Sequence, residues 1–163
     1  MELKELQAVL KDMVEGKKFE QEMWRYIKDQ EAGRIMYWQK DQLFNKSIGA
    51  DGIKFGKYKN ESRSKGRDIT RGEKRKSRNQ EYTMIDTGDF YDKMYIKVNA
   101  HTKTIDIGSN TEHMDEMYAN DPPHFNTTEF FGLTPFSLRQ VIKPIKDHMN
   151  KWARYRIAMN RRL

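Results

Sequence analysis

Apolar residues recur at helical spacing through the first part of the chain. Leu3, Leu6, Val9/Leu10 and Met13 predict one helix over residues 2–14, with Gly16 placed to break or bend it. From Lys17 to Asn45 a second stripe runs through Phe19, Met23/Trp24, Ile27, Ile35, Trp38 and Leu43, with Gly33 inside it and no proline. At 1.5 Å per residue this is a rod of roughly 40 Å, long for a chain of this size. The period then lapses. Residues 47–82 carry five of the ten glycines and few large apolar side chains. That stretch predicts a long loop or arm, because it buries too little surface to offset its own ordering entropy.

Beyond the arm the spacing changes. Asp86-Thr87-Gly88-Asp89 marks a turn, with Thr87 placed to cap a short helical turn into Phe90-Tyr91. Residues 94–98 and 104–108 alternate, and predict an antiparallel strand pair with Ile105 and Ile107 on one face. Ser109 and Glu112 fit a capping box that opens a short helix toward Ala119, ended by Asp121-Pro122-Pro123. Thr134 and Pro135 are an N-cap and a first helical residue, with Leu133 and Leu138 at the positions of a hydrophobic staple. Leu138, Val141/Ile142, Ile145, Met149 and Trp152 continue as an apolar stripe, and Pro144 within it predicts a kink through the loss of one ladder donor. The fold class is α+β. It comprises long N-terminal helices (1–46), a basic glycine-rich arm (47–82), a small antiparallel sheet with a short helix (83–133) and a kinked C-terminal helix (134–163), in one domain.

Charge sharpens the picture of the arm. The net charge is +7, and residues 57–80 hold all of it: Lys57, Lys59, Arg63, Lys65, Arg67, Arg71, Lys74, Arg75, Lys76 and Arg78 against Glu61, Asp68 and Glu73. Such an arm is either a solvated insertion or a segment that orders against nucleic acid or an acidic protein surface. A smaller basic end follows at Lys151, Arg154, Arg156, Arg161 and Arg162, part of it ordinary complementation of a helix C-terminus. Leu, Ile, Val and Phe make up only 31 of 163 residues, but Met, Tyr and Trp add to the apolar stock, so a folded domain with a modest core is expected. Zero cysteines excludes a disulfide framework and a cysteine metal site. No run approaches the roughly 18 apolar residues of a membrane span, and the N-terminus has no signal-peptide core.

Catalytic chemistry is not expected. His113 with Asp115, Glu116 and His124 is the one grouping that resembles a metal site on paper, and its spacing matches no strong template. Asp106 and Glu112 lack the downstream lysine of a nuclease, and no phosphate-cradling glycine motif is present. Gly49-Ala50-Asp51-Gly52 lacks the spaced oxygen ligands and terminal Glu of a calcium loop. No cofactor is implied.

Three segments carry a resemblance: residues 41–58, from Asp41-Gln42-Leu43-Phe44 through Ile53-Lys54-Phe55-Gly56; residues 82–91, with Thr87-Gly88-Asp89-Phe90; and Phe130-Phe131-Gly132-Leu133-Thr134. The series resembles small neck and tail-completion proteins of tailed bacteriophages, the head–tail connector group, and is similar above all to versions in Bacteroides phages, including crAss-like ones. The resemblance covers roughly two thirds of the chain. It implies a structural virion protein, made in the bacterial host cytoplasm, that closes as a cyclic homo-oligomer of about twelve or six copies. Such a ring lies between portal and tail around the DNA channel. Its partners would be the portal or neighbouring neck and tail rings, with contact to packaged DNA and none to a membrane. The basic arm and the long C-terminal helix depart from the family pattern. Trp24, Trp38, Phe44, Phe90, Tyr91, Phe131 and Trp152 are the candidates for the subunit interface, and the ten arm cations are the candidates for contact with a partner or with nucleic acid. The competing reading is a non-specific nucleic-acid-binding module that uses the 57–80 arm together with Tyr58 and Tyr82.

Overall fold

A computed structural model describes residues 7, 11, 15–57, 62–63, 75–76, 81–82, 88–112 and 129–160. Residues 7 and 11 are helical; the rest of the expected helix over 2–14, Thr87, the helix expected toward Ala119 beyond Glu112 and most cations of the arm lie outside these residues. The architecture is α+β: a long helix α1 (Lys18–Lys46), a short α2 (Asp89–Asp92), a long α3 (Pro135–Asn160) and two separate two-stranded sheets. One sheet pairs β1 (Ser62–Arg63) with β2 (Arg75–Lys76), the other β3 (Met94–Asn99) with β4 (Thr104–Ser109).

The chain divides into two compact units. One comprises Met1–Arg34, Val98–Ile105 and Leu138–Leu163, and the other Ile35–Lys97 and Asp106–Ser137.

In the first unit the opening half of α1 lies antiparallel to α3. Phe19 meets Trp152 edge-to-face at 6.0 Å, and further along α1 the Tyr26 ring stacks on His148 at 3.9 Å. Glu22 joins the two helices through His148 Nε2 at 2.7 Å. The bend anticipated at Gly16 falls on Lys17, whose φ of 55° is left-handed, and α1 begins at the next residue. The buried apolar residues on α3 are Val141 and Met149, whereas Leu138, at its staple position, stays 45% exposed. The helix is continuous across Pro144.

The helix α1 is not uniformly α. Ile27–Glu31 and Asp41–Lys46 wind as π-helix, closed by i→i+5 bonds from the Ala32 and Ser47 N–H groups to Ile27 and Gln42 C=O. A π turn holds more residues than an α turn, so successive side chains are separated by a smaller angle. This is how Gln42, Leu43 and Phe44 are all buried in succession.

In the second unit Leu43, Phe44, Phe55 and Phe130 form the core, with Tyr82, Phe90, Tyr91, Met94 and Phe131 packed against it. Left-handed Ser47 ends α1 and turns the chain into a tight hairpin. Its pairs are Phe55 N–H to Ser47 C=O, the Ile48–Lys54 bridge, and Gly49 N–H to Ile53 C=O. The Asp51 carboxylate at the tip accepts from the Ile53 N–H, the work of a turn residue.

A segment at 130–134 runs beside α1, and two buried glutamines clasp it. Gln39 donates to the Phe130 C=O and accepts from the Gly132 N–H, at 2.9 and 2.8 Å. Gln42 donates to the Gly132 C=O and accepts from the Thr134 N–H, at 3.0 and 2.9 Å. Each amide side chain thus substitutes for one residue of a strand. Gly132 has a φ of 120°, a conformation that favours glycine, and a Cβ there would press on the Ala50 Cβ at 3.1 Å. Thr134 then caps α3 by accepting from the Ser137 N–H, as its sequence position predicts.

Gly88, left-handed at φ 86°, occupies the N-cap position of α2. One expected cap is corrected. Ser109 is not an N-cap but the last residue of β4, because its backbone is taken up by the β3–β4 pairing; its hydroxyl donates to the Phe90 C=O.

Candidate assembly surface

The clasp fixes the start of α3, and with it an aromatic surface on the second unit. Gln42 holds Thr134 and Thr134 holds Ser137, which seats Phe136 edge-on to Trp38 at 6.0 Å. Tyr37 meets Trp38 in turn, edge-on at 5.4 Å. The Lys46 ammonium lies 5.3 Å from the Trp38 ring and 5.6 Å from the Phe136 ring, and pairs with Asp41. Burial would raise the Asp41 carboxyl, but hydrogen bonds from Lys46 and Asn45 outweigh it and hold the group below its ordinary value. Tyr37 is 63% and Phe136 51% exposed, so two large rings of this cluster remain open to solvent.

The aromatic candidates named from sequence separate into four groups. Phe44, Phe90, Tyr91 and Phe131 lie within or against the core of the second unit. Tyr91 also carries the Lys40 ammonium 3.6 Å above its ring, where burial lowers the lysine's pKa against the opposing charge of Asp92. Trp152 packs with Phe19 inside the first unit, and the Arg156 guanidinium lies 5.9 Å from its ring. Trp24 lines a cleft of about 230 Å³ with Lys17, Glu20 and His101, where Lys103 pairs with Glu20 at 2.7 Å. Only Trp38 belongs to the open surface, and its two most exposed neighbours were not among the residues expected there. The signal was present at Phe136, an aromatic beside an N-cap and off the apolar stripe of α3.

Of the arm, Lys57 and the backbone of Arg63, Arg75 and Lys76 are described. Ser62 pairs with Lys76 and Arg63 with Arg75. The Lys57–Glu81 bridge and the Tyr82 N–H bond to Gly56 C=O fall on the same antiparallel register. The arm, expected as a loop, therefore has a paired stem. Closing a long loop costs little more than closing a short one, since the entropy grows only with the logarithm of length. Tyr82, grouped above with the arm in the nucleic-acid-binding reading, packs against the core of the second unit. Lys59, Lys65, Arg67, Arg71, Lys74 and Arg78 lie outside the described residues, as do His113 and His124.

Among the described residues no three His, Asp or Glu side chains gather as metal ligands. No helix among them is long and apolar enough to cross a membrane. No protein-family model, curated protein or solved structure gives a significant match to the chain.

Proposed function

We propose that this chain is a structural subunit of the neck of a tailed-phage virion, closing with further copies of itself into a ring between portal and tail. The observation that carries the reading is the open Tyr37–Trp38–Phe136 cluster with Lys46 at its edge. Interface cores are enriched in aromatic residues, and rings this exposed are normally covered by a partner. Among the described residues the two small sheets add unpaired strand edges, which a neighbouring subunit can complete. The segments that bear the phage resemblance support it further, since residues 42–55, Tyr82, Phe90 and 130–134 meet in one core and one clasp.

Native mass spectrometry of the isolated protein, with and without portal, tests the reading. Assemblies in multiples of the 19.5 kDa chain are expected, and Tyr37→Ala with Phe136→Ala shifts them toward the monomer. A monomer under both conditions overturns it.

The register of the arm favours a second reading, a nucleic-acid-binding module. It sets Arg63 opposite Arg75, a like-charged pairing that an anionic partner relieves. Loss of duplex binding on neutralising Lys74, Arg75, Lys76 and Arg78, from a protein that never assembles, selects this alternative.

A further inference from the structure

The outward face of α3 carries cations that no acid among the described residues answers. Arg139, Lys143, Lys146 and Arg154 are exposed, with Lys151 on the flank and Asp147 as the single acid among them. At 3.6 residues per turn the first four fall within an arc of about 80° and extend over about 22 Å of helix. Among the described residues none of these five cations pairs with a carboxylate.

Elsewhere most of the described cations have an acid at hand, with Lys28 and Lys97 as isolated exceptions rather than a row. On α1, Arg25 is matched by Glu22 and Asp29, Arg34 by Glu31, and Lys46 by Asp41. Lys54, Lys93 and Lys103 each have an acid of their own. Nor does the helix dipole account for the ridge. Three of its cations lie in the N-terminal half of α3, where positive charge is disfavoured, and the last turn contains none.

We infer that this ridge is a docking surface for the phosphate backbone of a nucleic-acid duplex. A protein partner needs a desolvated apolar anchor at its centre, and the arc between Arg139 and Arg154 offers only Asn150 besides charge. A phosphate backbone needs no more than a row of cations at one face. A membrane surface is disfavoured because Val141 and Met149, on the apolar side of the same helix, are already buried within the protein. The ridge requires no particular oligomeric state, so the inference stands apart from the ring.

The test is fluorescence anisotropy of the full-length chain with a labelled duplex of random sequence, across a salt series. Replacing Arg139, Lys143, Lys146 and Arg154 by Gln is expected to weaken binding at least tenfold and to reduce the slope of log affinity against log salt by roughly 3 to 4, close to one unit for each phosphate no longer neutralised. Lys143→Arg with Lys146→Arg should keep both affinity and slope, which separates loss of charge from loss of fold; circular dichroism checks the latter. An unchanged slope in the glutamine variant overturns the inference. So does equal competition by polyglutamate, which would assign the ridge to an acidic protein, or tighter binding to phosphatidylserine vesicles than to duplex. Ring formation is read separately, by native mass without DNA, so either proposal can fail alone.

Discussion

A glutamine facing the interior of a helical unit is stable only when both ends of its amide are engaged. Gln39 and Gln42 are fully buried and meet that condition, each with one donor and one acceptor spent on the 130–134 backbone. The substitution Gln42→Leu keeps the volume but leaves the Gly132 C=O and the Thr134 N–H without their partner. At roughly 1–3 kcal/mol for each of the two buried unsatisfied groups, a loss of about 2–6 kcal/mol is expected. Thermal or urea unfolding measures it. Because Thr134 also starts α3, the variant should loosen Phe136 from Trp38, visible as a shift in tryptophan emission. A variant as stable as the parent would show that the clasp is dispensable.

Beside the Phe19–Trp152 and Tyr26–His148 ring contacts, one carboxylate joins α1 to α3 in the first unit. Glu22 is engaged by Arg25 at 2.8 Å and by His148 at 2.7 Å. The Arg25 hydrogen bonds, and after them the His148 contact, hold its carboxyl below the ordinary value of 4.5 against the opposing pull of burial. A lowered folded pKa means stability that is complete above 4.5 and lost as pH falls through the folded value. Denaturant midpoints followed from about pH 6 to about pH 3 should therefore fall more steeply in the parent than in Glu22→Gln. Parallel curves would remove Glu22 from the account. The two helices themselves were legible from their 3.6-residue period, and the start of α3 from Thr134-Pro135. The π windings were not, because burial of Gln39 and Gln42 looks in sequence like a polar interruption of the stripe between Ile35 and Leu43. The stem of the arm left no local signal either, since its pairs join positions 12 to 24 residues apart. The aromatic surface was legible only at Trp38: a ring on an apolar stripe suggests packing, but whether it faces core or solvent depends on what the rest of the chain covers.

Across the described residues, eight apolar side chains are buried and eight large ones remain exposed. Single exposed apolar residues are ordinary. Here, though, the exposed set includes Tyr37, Phe136 and Tyr155, each more than half open, in a chain whose Leu, Ile, Val and Phe are already few. A partner that binds only the folded chain adds its binding free energy to folding, so stability then depends on protein concentration. For a self-assembling subunit the melting temperature should rise as concentration is raised a hundredfold, and Tyr37→Ala with Phe136→Ala should flatten that rise. Salt separates the forces involved. Cover of an aromatic surface survives high ionic strength, whereas association through the net charge of +7 and an anionic partner is screened within about 10 Å at 0.1 M. Differential scanning fluorimetry at two salt concentrations, over that range of protein, therefore tests self-assembly on the chain alone. A melting temperature independent of concentration at both would leave the exposed rings without a second copy to cover them.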